Sequence, residues 1–152
     1  MVKIIGFGKS GNKVLQKYLK MSNHDDIEVY CLNSKEDLKI IESIRHAKVL
    51  VFGGLGGSST KLLYQALPKL KNNNCKVAVL ATIPFEVEDE NRLLVSLSAM
   101  NFIKEIADEP IIISCDSFLN PKRSVFTLDY AFDCVDVELA IILNDIFKNI
   151  EI

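Results

Sequence analysis

Two glycine-bearing stretches hold the residues of this chain best suited to chemistry. GFGKSGN spans residues 6–12, and KVLVFGGLGGSST spans residues 48–60. Each follows a short apolar run and leads into apolar residues at helical spacing. Glycine lets backbone N–H groups approach a bound anion, while serine and threonine offer hydroxyls and helix caps. A strand, a tight loop and a helix N-terminus together make an anion site, because unpaired amides and the helix dipole point at one spot. Two such loops in one small domain imply a ligand with several phosphates. The plainer alternative is a pair of tight strand-to-helix turns whose glycines only permit positive φ. Farther along, Glu88 and Arg92 stand one helical turn apart, as do Phe132 and Asp136. On spacing alone the first pair is a surface ion pair worth about 0.3–0.5 kcal/mol. The second is a core ring beside a solvated acid.

The elements that must carry these residues alternate between β-rich runs and amphipathic segments. Strands are expected at Val2–Gly6, Ile27–Leu32, Val49–Phe52, Val77–Ala81 and Ile111–Ser114. Several are apolar on successive residues, as parallel strands covered on both faces should be. Helices are expected over Asn12–Met21 and Ser34–Arg45, the latter opened by a Ser34–Asp37 capping box. Leu62, Leu63, Ala66, Leu67 and Leu70 form a core stripe, and Leu93, Leu94, Leu97, Met100 and Ile103 form a second. A last helix is expected from about Leu128 to Phe147. Such alternation gives right-handed crossovers and a doubly wound, three-layer α/β fold on a parallel sheet of about five strands.

A chain of 152 residues forms one domain able to bury about two thirds of its unfolded surface. A net charge of −2 gives no reason to expect nucleic acid or a membrane surface as partner. The apolar runs are too short to span a bilayer and the N-terminal run lacks a signal-peptide pattern, so a cytoplasmic location is the default. Cys31, Cys75, Cys115 and Cys134 lack metal-ligand spacing and read as small buried hydrophobes in a reducing compartment. No metal site is expected from the cysteines or from His24 and His46.

Three nucleotide-site patterns compete for the loops. Gly6, Gly8 and Gly11 satisfy the G-x-G-x-x-G of a dinucleotide-binding Rossmann site for NAD or a flavin. The second strand, however, ends in Leu32-Asn33-Ser34 and not in the acid that such a site uses for the ribose. The P-loop pattern G-x-x-x-x-G-K-[ST] is absent from both loops.

The third pattern is a resemblance. The order of pieces resembles the GTP-binding half of the FtsZ family, bacterial relatives of tubulin. IIGFGKSGN resembles that family's first phosphate loop, and EVYCLNS its second strand with a terminal Asn near the phosphates. VLVFGGLGGSSTK resembles the signature loop GGGTGTG. AVLATIPFEVEDENR resembles VVTxPFxFEGxxR, IIISCDS resembles the IVIPNDR strand end, and YAFDCVD resembles the start of the central helix.

The resemblance implies a guanine-nucleotide-binding protein linked to bacterial cell division, taking GDP or GTP, with Mg2+ accompanying GTP. Gly8, Lys9, Ser10, Asn12, Asn33, Gly56, Gly57, Ser58, Ser59 and Thr60 would surround the phosphates. Glu88 would contact the ribose, Arg92 the base or phosphates, and Phe132 and Asp136 would clasp guanine by stacking and by accepting its N–H groups. Self-association, or association with FtsZ itself, is the implied protein contact. Ser59 and Lys61 replace glycines of the signature loop, and Cys115 and Ser117 replace Asn and Arg of the NDR element. The connection from Leu32 to Lys48 is much shorter than the family's, so the expected sheet order is 2-1-3-4-5. The acidic loop that activates water on a neighbouring subunit's GTP, and the second FtsZ domain, have no counterpart in residues 1–152. A single nucleotide-binding domain with little or no autonomous hydrolysis is therefore expected. A degenerate interaction module that modulates filament assembly without binding nucleotide is the alternative.

Overall fold

The computed structural model describes residues 2–8, 13, 15, 16, 27–84 and 90–115. Its strands are β1 (Val2–Phe7), β2 (Ile27–Leu32), β3 (Lys48–Gly54), β4 (Lys76–Ile83) and β5 (Glu109–Ser114). All pair in parallel, in the order β2-β1-β3-β4-β5. This is the expected order, with each strand found where expected and four of them a residue or more longer. The extensions include polar and glycine ends, such as Lys48 and Gly53–Gly54, and two apolar residues, Phe7 in β1 and Ile83 in β4. Gly6, the expected end of β1, pairs with Cys31 and Phe52 inside the sheet and Phe7 continues the strand, so the first loop begins only at Gly8.

Between the strands lie α1 (Leu38–Glu42), α2 (Thr60–Asn72) and α3 (Glu90–Ile106). The expected helix over Ser34–Arg45 is shorter than its pattern. A single 3-10 turn, Lys35–Asp37, precedes α1, and His46 closes the segment at φ 51°. Residues 13, 15 and 16 are helical and Leu15 is buried, within the helix expected over Asn12–Met21. The helix expected from about Leu128 lies outside the described residues.

The alternation of side chains along a strand divides the core in two. Ile5, Phe7, Val49, Val51, Val77, Val79 and Ala81 join Leu38, Ile41, Leu63, Leu67, Leu70, Ala99 and Ile103 in one cluster beneath the three helices. Ile4, Leu50, Phe52, Ala78 and Leu80 point to the opposite face and are buried there. Helix α2 buries its whole expected stripe and runs through Pro68, which removes one helical hydrogen bond.

Helix α3 does not follow its pattern. Its buried residues are Ser96, Ala99 and Ile103, whereas Leu94 and Leu97 face outward. Of the expected stripe only Ile103 is in the core. Ser96 takes the inner face where α3 lies close over the loop after β3, against Gly56, and Ala99 and Ile103 continue that face into the core. Cys31 also departs from expectation. It is exposed, because β2 is an edge strand and Leu32, not Cys31, points at the α1 core. Cys75 and Cys115 are buried as expected, and Cys134 lies outside the described residues.

Candidate functional site

The loop joining β3 to α2 is held from three directions. Leu55 N–H donates to the Thr82 carbonyl at 2.8 Å, tying the loop to the end of β4. Gly56 sits at φ +99° and its N–H donates to Thr60 Oγ1 at 3.0 Å. Thr60 is only 1% exposed, and its own N–H donates to the Gly57 carbonyl at 3.2 Å. The third support is α3. A Cβ on Gly56 would lie 2.9 Å from both the Arg92 carbonyl oxygen and Ser96 Oγ. Ser96 is fully buried, and its hydroxyl donates to that same Arg92 carbonyl at 2.7 Å. Glycine is thus required at position 56 both by its φ and by close approach.

The next three residues are different. The backbone N–H groups of Gly57, Ser58 and Ser59 make no hydrogen bond among the described residues. A Cβ on Gly57 would meet nothing within 4 Å. Gly57 and Ser58 are exposed and Ser59 is half-buried. Successive open amides at the start of α2 leave a concave row of donors with the positive end of the helix behind it.

The first glycine loop meets this row. Gly8, at φ +74°, follows β1 directly, and a Cβ there would lie 3.5 Å from Ser59 Oγ. Strand register explains the meeting, since Phe7 is level with Gly53 on one side and Leu32 on the other. Gly8, Asn33 and the 55–59 loop therefore emerge at one edge of the sheet, the carboxyl ends of the strands. The order of strand placement reverses there, with β2 laid on one side of β1 and β3 on the other. Such a switch point is where open α/β sheets form their ligand crevice.

Asn33 begins the other wall. Its N–H and that of Ser34 donate to Asp37 Oδ2 at 2.8 and 3.0 Å. These backbone donors hold the Asp37 carboxyl below the usual carboxylate range, the acidic half of the capping box that the sequence indicated. Asn33 is itself exposed.

Of the residues singled out from the sequence, Gly8, Gly56, Gly57, Ser58, Ser59 and Thr60 come together, with the Arg92 backbone packed beneath them. Thr60 shapes the loop from inside, and its hydroxyl is already taken. The Arg92 side chain is exposed, as is Lys61. Lys9, Ser10, Asn12, Glu88, Phe132 and Asp136 lie outside the described residues. Sequence reasoning missed Ser96. A small polar residue among the leucines of α3, four positions after Arg92, was the available signal.

The fold has solved counterparts. The M. jannaschii FtsZ, described as an empty dimer, matches 91% of the chain at a TM-score of 0.78 and 17% identity. CetZ2 from Haloferax volcanii, solved as a GTPγS-bound protofilament, matches 91% at a TM-score of 0.71 and 17% identity. The fold is FtsZ-like. The five-stranded parallel sheet and its flanking helices carry that likeness. The chain spans 52% and 55% of the lengths of those two structures. Among curated proteins, the mitochondrial division protein fszB of Dictyostelium discoideum is 24% identical over 103 residues, which are 64% of this chain and 28% of that protein. No protein-family model matches the chain. No helix among the described residues is long and apolar enough to cross a membrane.

Proposed function

We propose that this chain is an FtsZ-like guanine-nucleotide-binding protein that holds GDP or GTP at the carboxyl edge of its sheet and hydrolyses it little by itself. The observation that carries this reading is the row of unbonded amides at Gly57–Ser59, set against Gly8 at the switch point. Open backbone donors at a helix start suit phosphate oxygens. They lie beside hydroxyls of Ser58 and Ser59, and Lys61 is free to swing toward the anion from the exposed side of α2. The segment 53–61 contains no carboxylate, so this loop can hold and neutralise phosphate without supplying a base for water. Positioning without activation gives binding with slow turnover.

The choice of guanine rests on the resemblance, through Phe132 and Asp136 for the base and Glu88 and Arg92 for the ribose and its surroundings. Lys9, Ser10, Asn12 and Asn33 would close the phosphate site from the side of β1 and β2. The GTPγS in the CetZ2 structure supports a triphosphate in a fold of this kind. A dinucleotide is less well served, because Gly6 is built into the sheet and no acid ends β2.

Mass spectrometry of small molecules released by denaturing freshly purified protein tests the proposal. GDP or GTP at near-stoichiometric yield is the expected result. Release of NAD or a flavin, or of no nucleotide from protein that also fails to take up added GDP, would refute it. In the last case, with Ser59 and Lys61 as the substitutions responsible, a nucleotide-free module acting on other filaments becomes the better reading.

A further inference from the structure

Helix α3 exposes two leucines that its own core does not use, set in a line with polar residues at either end. Glu90, Leu94, Leu97, Asn101 and Lys104 recur at spacings of four, three, four and three, the rhythm of a coiled-coil seam, and all are exposed. Leu94 is 58% exposed and Leu97 38%. The partly buried Leu93 and Met100 lie along one flank. The core-facing line Ser96–Ala99–Ile103 lies on the opposite side of the helix.

The ends of the stripe are complementary to each other. Glu90 and Lys104 lie seven residues to either side of Leu97, about 10.5 Å along the axis in each direction. Neither side chain makes an ion pair or hydrogen bond among the described residues. A second helix of the same sequence, laid antiparallel with its Leu97 against this Leu97, brings each Glu90 level with the other copy's Lys104. Two-fold symmetry makes the match twice over, since each patch is its own complement.

We infer that α3 is a self-association surface on which a second copy of this chain packs antiparallel through Leu94 and Leu97, with reciprocal Glu90–Lys104 pairing. A single helix pair buries less than the ~1,200 Å² of a stable interface, so the dimer forms in the high-micromolar range. Leu94 and Leu97 are exposed outside the Ser96–Arg92 contact with Gly56, and pairing here needs no nucleotide.

Sedimentation velocity on the full chain, stripped of nucleotide in EDTA and run from about 10 µM to about 1 mM, tests it. The wild type should pass from monomer to dimer across that range. Leu97→Glu should weaken association at least about thirtyfold by placing like charges at the two-fold axis. Because position 97 is exposed, its thermal unfolding should match the wild type. Glu90→Lys should weaken association by roughly fivefold, and Glu90→Lys combined with Lys104→Glu should recover it. A wild type that stays monomeric throughout would assign the stripe to a different polypeptide and overturn the inference. So would a dimer indifferent to Leu97→Glu, or a charge swap that fails to recover. GDP binding measured on the same samples separates this outcome from the fate of the nucleotide proposal.

Discussion

Gly56 and Gly57 are neighbours that should answer the same substitution in opposite ways. Gly56→Ala forces a Cβ to within 2.9 Å of the Arg92 carbonyl at a φ of +99°, which should cost about 2 kcal/mol or more. In a domain of this size that lowers Tm by roughly 5 °C. Gly57→Ala places its Cβ in open space, so Tm should stay within about 1–2 °C of wild type. If that space receives phosphate, the same variant should bind GDP about tenfold more weakly, readable by calorimetry. Thr60→Val removes the acceptor for the Gly56 N–H. It should destabilise by about 1–3 kcal/mol in thermal unfolding, the usual cost of an orphaned buried donor. The glycines themselves were legible in the sequence. Their division of labour was not, because it depends on how closely α3 approaches, and no local pattern encodes that distance.

At the scale of elements, the strand order and α2 were readable because they rest on local periodicity and on the handedness of crossovers. The face of α3 was misread for a physical reason. Its strongest apolar rhythm is Leu93–Leu94–Leu97–Met100, yet the loop at Gly56 packs against Arg92 and Ser96, which turns Ser96, Ala99 and Ile103 inward. Where two faces of a helix are both apolar, packing chooses the one with smaller side chains at a close crossing. The opposite edge of the sheet is closed by Asp108, which joins three elements. Its carboxylate accepts Lys71 Nζ from α2 at 2.8 Å and the Val77 N–H of β4 at 2.7 Å. The lysine first, and then the backbone donor, hold its carboxyl below the usual range. A depressed folded-state pKa gives stability that is present above the unfolded value, about 3.9, and lost as pH falls through the folded one. Asp108→Asn should therefore flatten the decline of Tm with acid below about pH 4. An unchanged acid slope in thermal melts from pH 5 to about pH 2 would show that Asp108 plays no part in it.

At the scale of the molecule, two glycine loops distant in sequence meet because parallel register brings Gly8 level with the segment after Gly53. That meeting was anticipated from the sequence, as was an FtsZ-like sheet, since both follow from the order of strands and turns. The base-binding half of the proposed site rests on the resemblance alone. The residues proposed for it, Phe132 and Asp136, come from a segment distant in sequence from both loops. Any ligand that binds only the folded state raises stability by mass action, by about 2.7 kcal/mol at a hundredfold excess over Kd. GDP should therefore raise Tm in a concentration-dependent way, while guanosine, which lacks phosphates for the Gly57–Ser59 amides, should not. The most direct measurement is isothermal titration of nucleotide-stripped protein with GDP. Saturable heat at one nucleotide per chain, with Kd below about 100 µM, is the predicted result. No heat from folded protein at about that concentration would contradict the account.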